Sequence, residues 1–154
     1  MANQLEAIMK INESAPVIAA HEIEIEASPE AVWDIIVAVE RWPAWNPDVR
    51  ATFIEGNLQA GKSFSWKAGP GTIRSTVLQM QKPKELVWSG TTLGIRAIHL
   101  WQIERRGEKT TVRSEESWEG LLPAILRGAM RRMLLRSIQQ GLIYLKKEAE
   151  RVSR

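Results

Sequence analysis

Cysteine is absent from this chain of 154 residues, and histidine occurs only twice. Without cysteine the chain can form neither a disulfide nor a thiolate metal site, and it has no cysteine nucleophile. The two histidines, His21 and His99, lie too far apart in sequence to form a local metal-ligand motif, so a zinc enzyme is not expected. The chain also has no glycine-rich phosphate loop, and we predict no bound cofactor.

Long hydrophobic runs are also missing. No apolar stretch approaches the roughly 20 residues of a membrane-spanning helix, and the first residues lack the basic-then-apolar pattern of a signal peptide. We therefore expect a cytoplasmic protein. The net charge of +3, with 44% hydrophobic and 25% charged residues, is ordinary for a globular chain and argues against disorder. The length fits a single domain.

The first part of the chain predicts an arm, a strand and a short helix. Residues 1–16 show no strong periodicity, so we expect a flexible arm before one domain spanning residues 17–154. From Val17 to Glu26 apolar and polar residues alternate at period two, which is typical of a strand with one wet face. Ser28 and Pro29 then supply a helix cap and a first-turn proline, so a short helix is expected there.

A proline-punctuated segment follows this helix. Pro43 and Pro47 limit residues 41–47 to a tight turn or a second short helix. Because this segment lies between the first helix and the later strands, we interpret Trp42 and Trp45 as packing at the entrance of the domain, as part of a lid.

Residues 49–119 are strand-like and are divided by turn residues. The turns are marked by Gly56-Asn57, Gly61, Gly69-Pro70-Gly71, Lys82-Pro83, Gly94 and Arg106-Gly107-Glu108-Lys109. The predicted strands are 49–55, 62–68, 72–80, 85–92, 95–105 and 110–119. Because short turns connect them, we expect an antiparallel meander, which makes a seven-stranded sheet with the first strand.

The longest helical pattern runs from Pro123 to about Glu150. Apolar residues recur there at steps of three and four, and they are Leu122, Leu126, Met130, Met133, Leu134, Ile138, Gly141, Leu142, Leu145 and Ala149. About 28 residues of helix would span roughly 42 Å. This is the only predicted element long enough to cover the sheet. We therefore predict an α+β fold in which the sheet curves around the helix and leaves a cavity between them.

Several short motifs, in this order, resemble one known group of proteins. They are Ser28-Pro29-Glu30-Ala31-Val32-Trp33, Trp45-Asn46-Pro47, Gly61, Pro83 with Leu86-Val87-Trp88, His99-Leu100-Trp101, and Glu116-Ser117-Trp118-Glu119-Gly120. Over about residues 17–150 the chain resembles the polyketide cyclase/dehydrase and lipid-transport branch of the START-related superfamily, also called SRPBCC or helix-grip proteins. The resemblance implies a helix-grip fold and a cavity for a hydrophobic ligand. It does not fix a reaction, because similar proteins include carriers, receptors and cyclases.

The turn at Gly107-Glu108 fixes a strand register. Glycine in the first central position favours a two-residue hairpin, with Arg106 opposite Lys109. Counting back in steps of two places His99 opposite Glu116 on the apolar face of the hairpin. That face also holds Trp101, Ile103, Val112, Ser114 and Trp118.

Two roles are open for the predicted pair of His99 and Glu116. A carboxylate beside the ring would hold its orientation and raise its basicity, as a general base for enolisation or ring closure requires. Alternatively, the two groups satisfy each other's hydrogen bonds or orient a ligand. The sequence favours the second role, because two polar groups without a nucleophile or a metal are a small catalytic set.

The chain has seven Trp but only one Tyr and two Phe. Large indoles on the inner face serve either as core filler or as walls for a flat or ring-bearing ligand. The predicted ligand-contacting residues are Phe64, Trp66, Trp88, Trp101, Ile103, Val112, Ser114, Trp118 and Met133. We expect binding of a hydrophobic small molecule, and a cyclase or dehydratase using His99 and Glu116 is the alternative.

Positive charge is concentrated at the C-terminal end. Residues 121–154 contain eight Lys and Arg residues but only two Glu residues. Such charges are most often a solvated helix face, although a basic amphipathic helix also suits delivery of a lipid or quinone at an anionic membrane. The interspersed aromatic and basic residues of a nucleic-acid surface are absent, so nucleic acid is not an expected partner.

Overall fold

A computed structural model describes residues 10–154 of the chain. Seven strands form one antiparallel sheet. In chain order they are β1 (Val17–Ile25), β2 (Val49–Phe53), β3 (Ser63–Ala68), β4 (Gly71–Gln81), β5 (Glu85–Thr92), β6 (Ile95–Arg106) and β7 (Lys109–Glu119). Their order across the sheet is β1-β7-β6-β5-β4-β3-β2. The predicted meander is confirmed, and every strand lies within two residues of its predicted bounds.

Four helices accompany the sheet in the described part of the chain. They are α1 (Pro29–Val37), α2 (Trp42–Trp45), α3 (Leu121–Ile125) and α4 (Arg127–Val152), with a 3-10 turn at Val39–Arg41. The cap of α1 is the predicted one, because the Ser28 hydroxyl accepts a hydrogen bond from the Ala31 amide at 3.1 Å. The chain therefore has the predicted α+β helix-grip architecture, with short helices after the first strand.

Trp42 lies in the core and not in a lid. Only 6% of its surface is exposed, and its indole N–H donates to the carbonyl of Ile36 at 3.0 Å. The lid interpretation is therefore wrong for Trp42. The proline-rich segment turns the indole inward, where it packs edge-on against Phe64 and Trp66.

The terminal helical segment is divided in two. The predicted single helix breaks at Leu126, whose backbone (φ −108°, ψ 40°) is not helical. The second part, α4, packs on one face of the sheet with a buried stripe formed by Met130, Leu134, Ile138, Leu142, Leu145 and Ala149. Leu122 and Leu126, predicted in the same stripe, are 47% exposed, because the break takes them out of the helical repeat that buries the stripe of α4.

The far end of α4 is fixed to β1 and the residue after it. Lys146 Nζ donates to the carbonyl of Glu24 at 2.7 Å, and the Glu26 amide donates to Glu150 Oε1 at 3.0 Å. No described helix is long and apolar enough to cross a membrane.

The opposite face of the sheet carries a smaller apolar cluster. Ile11 packs there against Val87 and Leu100, and the Asn12 amide donates to Ser117 Oγ at 3.1 Å. Ile11 and Asn12, from the predicted flexible arm, thus contact the outer face of the sheet. Residues 1–9 of that arm lie outside the described residues.

Candidate functional site

His99 and Glu116 lie opposite each other on the inner face of the sheet. The hairpin turn has the predicted register, with Arg106 opposite Lys109 and His99 opposite Glu116. Gly107 takes a positive φ of 63°, the conformation for which glycine was expected at this turn. The predicted cross-strand neighbourhood of the imidazole and the carboxyl group is therefore confirmed.

The direct hydrogen-bond partner of His99 is Ser114, not Glu116. His99 Nε2 and Ser114 Oγ lie 2.6 Å apart. The imidazole stacks on Trp101 at 4.7 Å between ring centroids and meets the edge of Trp88 at 5.2 Å. Within residues 10–154 no ion pair joins His99 to Glu116. Aromatic rings and a hydroxyl, rather than a carboxylate, therefore orient this histidine.

Burial lowers the pKa of His99 to about 3, because the protein interior does not solvate the imidazolium. The ring is therefore neutral at pH 7. The expectation that Glu116 raises the basicity of His99 is wrong, because desolvation of the ring dominates and no ion pair offsets it. A neutral imidazole bonded to a serine hydroxyl still offers one donor and one acceptor.

Glu116 is the group that titrates near neutral pH. Burial raises the pKa of its carboxyl group to about 7, against the smaller opposing effect of a hydrogen bond from the Trp118 side chain. Both protonation states are then populated at pH 7. Glu116 can therefore give or take a proton there, as general acid–base chemistry requires, whereas His99 cannot.

Aromatic side chains line the inner face between Trp42 and His99. Ring centroids of neighbours lie between 5.4 and 6.1 Å apart in a chain of contacts through Trp42, Phe64, Trp66, Trp88 and Trp101. The Trp66 indole N–H donates to Ser75 Oγ at 3.1 Å. The structure thus brings four predicted lining residues, on β3, β5 and β6, into one cluster.

Coverage of the inner face differs between its two ends. Toward the Gly107 hairpin, Ile103 and Val112 are almost fully buried in the core. Toward the opposite end, inner-face side chains keep part of their surface uncovered, and these are Trp66, Ile73, Ala97, His99, Glu116 and Trp118. Gly90, which is buried beside them, packs closely, because an added Cβ would lie 3.3 Å from Ile73 Cγ2 and 3.9 Å from the Ala97 Cβ. We name this region of partly uncovered side chains the inner space.

Not every predicted residue faces the inner space. Five of the predicted residues are buried in the packed core, namely Phe64, Trp88, Trp101, Ile103 and Val112, and Ser114 is buried and bonded to His99. Met133 is 58% exposed, which removes it from the predicted lining. Its position follows Met130 by three residues, but the helix turns it toward solvent at the end of the sheet.

Sequence reasoning missed polar residues of this face, among them Ser75, which accepts the Trp66 indole N–H, and His21. His21 on β1 lies opposite Ser114, at the same period-two positions as Val17 and Ala19. The alternation of β1 could have indicated this placement. No three His, Asp or Glu side chains within residues 10–154 come together as a set that could hold a metal ion.

Two open surface grooves lie away from the inner space. One has a volume of about 530 Å³ and is lined by Glu26, Ala27, Ser28, Arg105, Glu108, Lys109 and Ser153. The other, of about 330 Å³, lies between α1, α2 and the end of α4, beside Trp45. Neither contains a residue predicted for the site.

Sequence comparison assigns almost the whole chain to one family model. The model described as polyketide cyclase/dehydrase and lipid transport matches residues 16–150. No curated protein sequence matches the chain.

Solved structures share this fold at low sequence identity. The hypothetical protein jhp0584 from Helicobacter pylori gives a TM-score of 0.80 at 14% identity, covering 89% of this chain and 90% of that one. The Zhui aromatase/cyclase from Streptomyces sp. R1128 gives a TM-score of 0.78 at 15% identity, covering 89% of this chain and 95% of that one. A START superfamily protein from Mycobacterium smegmatis gives a TM-score of 0.75 at 15% identity, covering 88% of this chain and 98% of that one. At these identities the likeness concerns the fold.

Proposed function

The chain belongs to the polyketide cyclase/dehydrase and lipid transport family, and from this premise we propose that it binds a hydrophobic small molecule in the inner space. The observation that carries the proposal is the partly uncovered end of the inner face, where the indoles of Trp66 and Trp118 keep part of their surface exposed. Buried apolar residues normally pack to crystal-like density, so incomplete coverage of large inward side chains favours a ligand.

The lining indicates the chemistry of this ligand. Trp66 and Trp118 offer flat surfaces, which suit a ring system or an acyl chain. Glu116 and His99 supply a small number of polar contacts among them, as is typical of sites that orient an otherwise apolar molecule. A neutral carboxylic acid and a neutral imidazole both suit a carbonyl or hydroxyl group.

Titration of the protein with fatty acids, polycyclic aromatic compounds and quinones should change its tryptophan emission, because indoles line the inner space. A ligand at about 100 times its Kd adds about 2.7 kcal/mol to the free energy of unfolding. For a chain of this size that raises Tm by roughly 5–10 °C. Unchanged emission and unchanged Tm across the whole panel would contradict the proposal.

A pair of variants on one strand locates the binding. Ala97→Phe fills the inner space opposite Trp118, so affinity should fall at least about tenfold, a loss of roughly 1.4 kcal/mol. Ile98→Phe enlarges the next residue, which faces the other side of the sheet, and should leave affinity nearly unchanged. Equal effects of the two substitutions would place the ligand elsewhere.

A second candidate function is a cyclase or dehydratase, favoured by the pKa of about 7 that burial gives Glu116. In the carboxylate form Glu116 would take a proton from a carbon beside a carbonyl group. The new enolate would close a ring by attack on a second carbonyl, and the protonated Glu116 would return its proton to the resulting alkoxide. The regenerated carboxylate would then take a second proton from the same carbon and deliver it to the hydroxyl group, which departs as water as the carbon–carbon double bond forms. Neutral His99 would orient the substrate oxygen.

For this second function Glu116→Gln should abolish turnover of a poly-β-ketone mimic and keep its affinity, because the amide preserves shape but transfers no proton. The pH profile of the native chain should show a group with a pKa of about 7. His99→Gln should weaken affinity more than turnover. Full activity of Glu116→Gln would exclude this role of the carboxyl group.

A further inference from the structure

The segment after β7 exposes an unusual amount of apolar surface. Leu121 is 74% exposed and Ile125 is 66% exposed, while Leu122 and Leu126 are each 47% exposed. Pro123 is the buried residue that holds this segment against the fold. A contiguous apolar surface of this kind marks a contact with a partner or a membrane more often than a solvated surface.

The β5–β6 turn extends this surface. Gly120 approaches Gly94 so closely that an added Cβ would lie 2.3 Å from the Gly94 carbonyl oxygen. This contact places Leu93, which is 63% exposed, beside the start of α3. Met133 continues the exposed face seven residues after Leu126, which is two turns of a helix. We name the group formed by Leu93, Leu121, Leu122, Ile125, Leu126 and Met133 the apolar tip.

Unpaired positive charge surrounds the apolar tip. Arg127, Arg131, Arg132 and Arg136 are all exposed, and residues 120–147 contain no Asp or Glu. Among the residues that the structure describes, none of these four arginines forms an ion pair. Arg127 donates only to the carbonyl of Ala124, at 3.4 Å. Near the other end of α4 two cations do pair, Arg151 with Glu148 at 2.7 Å and Lys146 with Glu150 at 2.8 Å.

We propose that the apolar tip inserts into the surface of a bilayer that contains anionic lipids, with the surrounding arginines on the lipid phosphates. Apolar side chains enter the boundary between headgroups and acyl chains, and each nearby cation adds attraction to an anionic leaflet. The proposal rests on exposure and charge at this end of the molecule and does not depend on the ligand proposed for the inner space.

The same observations disfavour a second copy of the chain as the occupant. In a two-fold symmetric dimer the tip would face itself, and the unpaired arginines of both copies would be brought together. A protein partner would need acidic groups around a hydrophobic pocket. An anionic bilayer supplies negative charge and an apolar interior, and it needs no pocket of complementary shape. It therefore suits a short, exposed segment such as α3.

Sedimentation with vesicles tests the proposal. The protein should bind vesicles of equal parts phosphatidylcholine and phosphatidylglycerol, and binding to pure phosphatidylcholine should be much weaker. Ile125→Asp should reduce binding at least about tenfold, because it places a charge in the inserted segment. Arg131→Gln and Arg132→Gln should each reduce it about fivefold. Val152→Asp and Arg154→Gln, exposed at the far end of α4, are the matched controls and should leave binding unchanged.

Because the chain has no cysteine of its own, a dye attached to one introduced cysteine reports on that position alone, which gives a second measurement of membrane insertion. Leu121→Cys and Val152→Cys each carry one thiol for an environment-sensitive dye. On anionic vesicles the dye at position 121 should shift to the emission of an apolar environment, and the dye at position 152 should not. High salt should reverse the shift by weakening the attraction of the arginines.

Any of four results would overturn the proposal. One is that the protein binds neither the anionic vesicles nor the pure phosphatidylcholine vesicles. Another is that the Ile125→Asp and Val152→Asp variants bind anionic vesicles equally well. The third is a concentration-dependent dimer that Ile125→Asp converts to monomer while anionic vesicles bind nothing, since a second copy would then cover the tip. Specific binding of an acidic protein without vesicle binding would likewise replace the bilayer as the occupant.

Discussion

Glu116→Gln should raise the free energy of unfolding by about 3 kcal/mol at pH 8 and leave it nearly unchanged at pH 4. Burial raises the pKa of Glu116 from its ordinary 4.5 to about 7. Above pH 7 the native fold must hold a buried carboxylate, whereas the unfolded chain solvates it. The penalty therefore grows as the pH rises from 4.5 to 7, and the glutamine removes it.

His99 should give a pH dependence of opposite sign. Its pKa falls from an ordinary 6.5 to about 3 because burial disfavours the imidazolium. The unfolded chain takes up this proton below pH 6.5 but the native chain does not, so stability is lost as the pH falls from 6.5 toward 3. His99→Gln should relieve that loss, which approaches about 5 kcal/mol at the acid end. Any packing cost of the glutamine adds a constant offset.

The two residues should therefore cancel each other between pH 4.5 and 6.5. In this window the native chain carries one proton on Glu116, and the unfolded chain carries one on His99. Each single substitution removes one of these two opposing contributions and leaves the other. Compared with the unsubstituted protein, the free energy of unfolding of the Glu116→Gln variant should rise with pH by about 1.4 kcal/mol per pH unit. That of the His99→Gln variant should fall by the same amount.

Urea unfolding of both variants across pH 4 to 8 measures these slopes. Glu115→Gln, one residue earlier on β7 and on the outer face, is the control for replacing a carboxylate on this strand. Parallel stability curves for the native chain and both inner-face variants would show that neither group is desolvated as the structure indicates.

Gly120→Ala should be the most damaging small substitution at the end of the sheet. Gly120 has φ 129° and ψ −178°, a region open essentially to glycine alone, and the new Cβ would meet the Gly94 carbonyl oxygen at 2.3 Å. Because that oxygen belongs to the backbone, relief requires the β5–β6 turn or α3 to move. We expect a loss of more than about 3 kcal/mol, or roughly 10 °C in Tm.

Gly141→Ala is the matched control for this substitution. Gly141 lies inside α4, and no atom lies within 4 Å of an added Cβ. Alanine should stabilise the helix there by about 0.5–1 kcal/mol. Thermal unfolding of both variants compares the same chemical change in two backbone settings. A Tm of Gly120→Ala equal to that of the native chain would contradict the proposed close approach at Gly94.

Much of the site geometry could be read from one turn. Glycine at position 107 set the register of β6 and β7, and the alternation of apolar residues then set which face is inner. Both features depend on neighbours in sequence, so the opposition of His99 and Glu116 was predictable. The bond between His99 and Ser114 was not, because the ring can rotate toward either neighbour and packing against Trp101 decides between them.

The protonation states could not be predicted in the same way. A sequence shows that a carboxyl group and an imidazole are adjacent, and adjacency alone suggests an ion pair. The free energy of each charge depends on the protein atoms around it on all sides, which come from distant strands and from α4. Only the folded structure could show that desolvation makes His99 neutral and Glu116 the titrating group.

The sequence by itself determined the strands, the hairpin register and the inner face, because period-two alternation and turn residues act over a few neighbours. The tertiary structure decided where the terminal helix breaks and which of its apolar residues are buried. The apolar period continues through Leu122 and Leu126, but the backbone at Leu126 leaves the helical conformation, so these two side chains are not part of the buried stripe of α4. Most side chains of residues 121–126 are therefore an exposed apolar surface beside unpaired arginines.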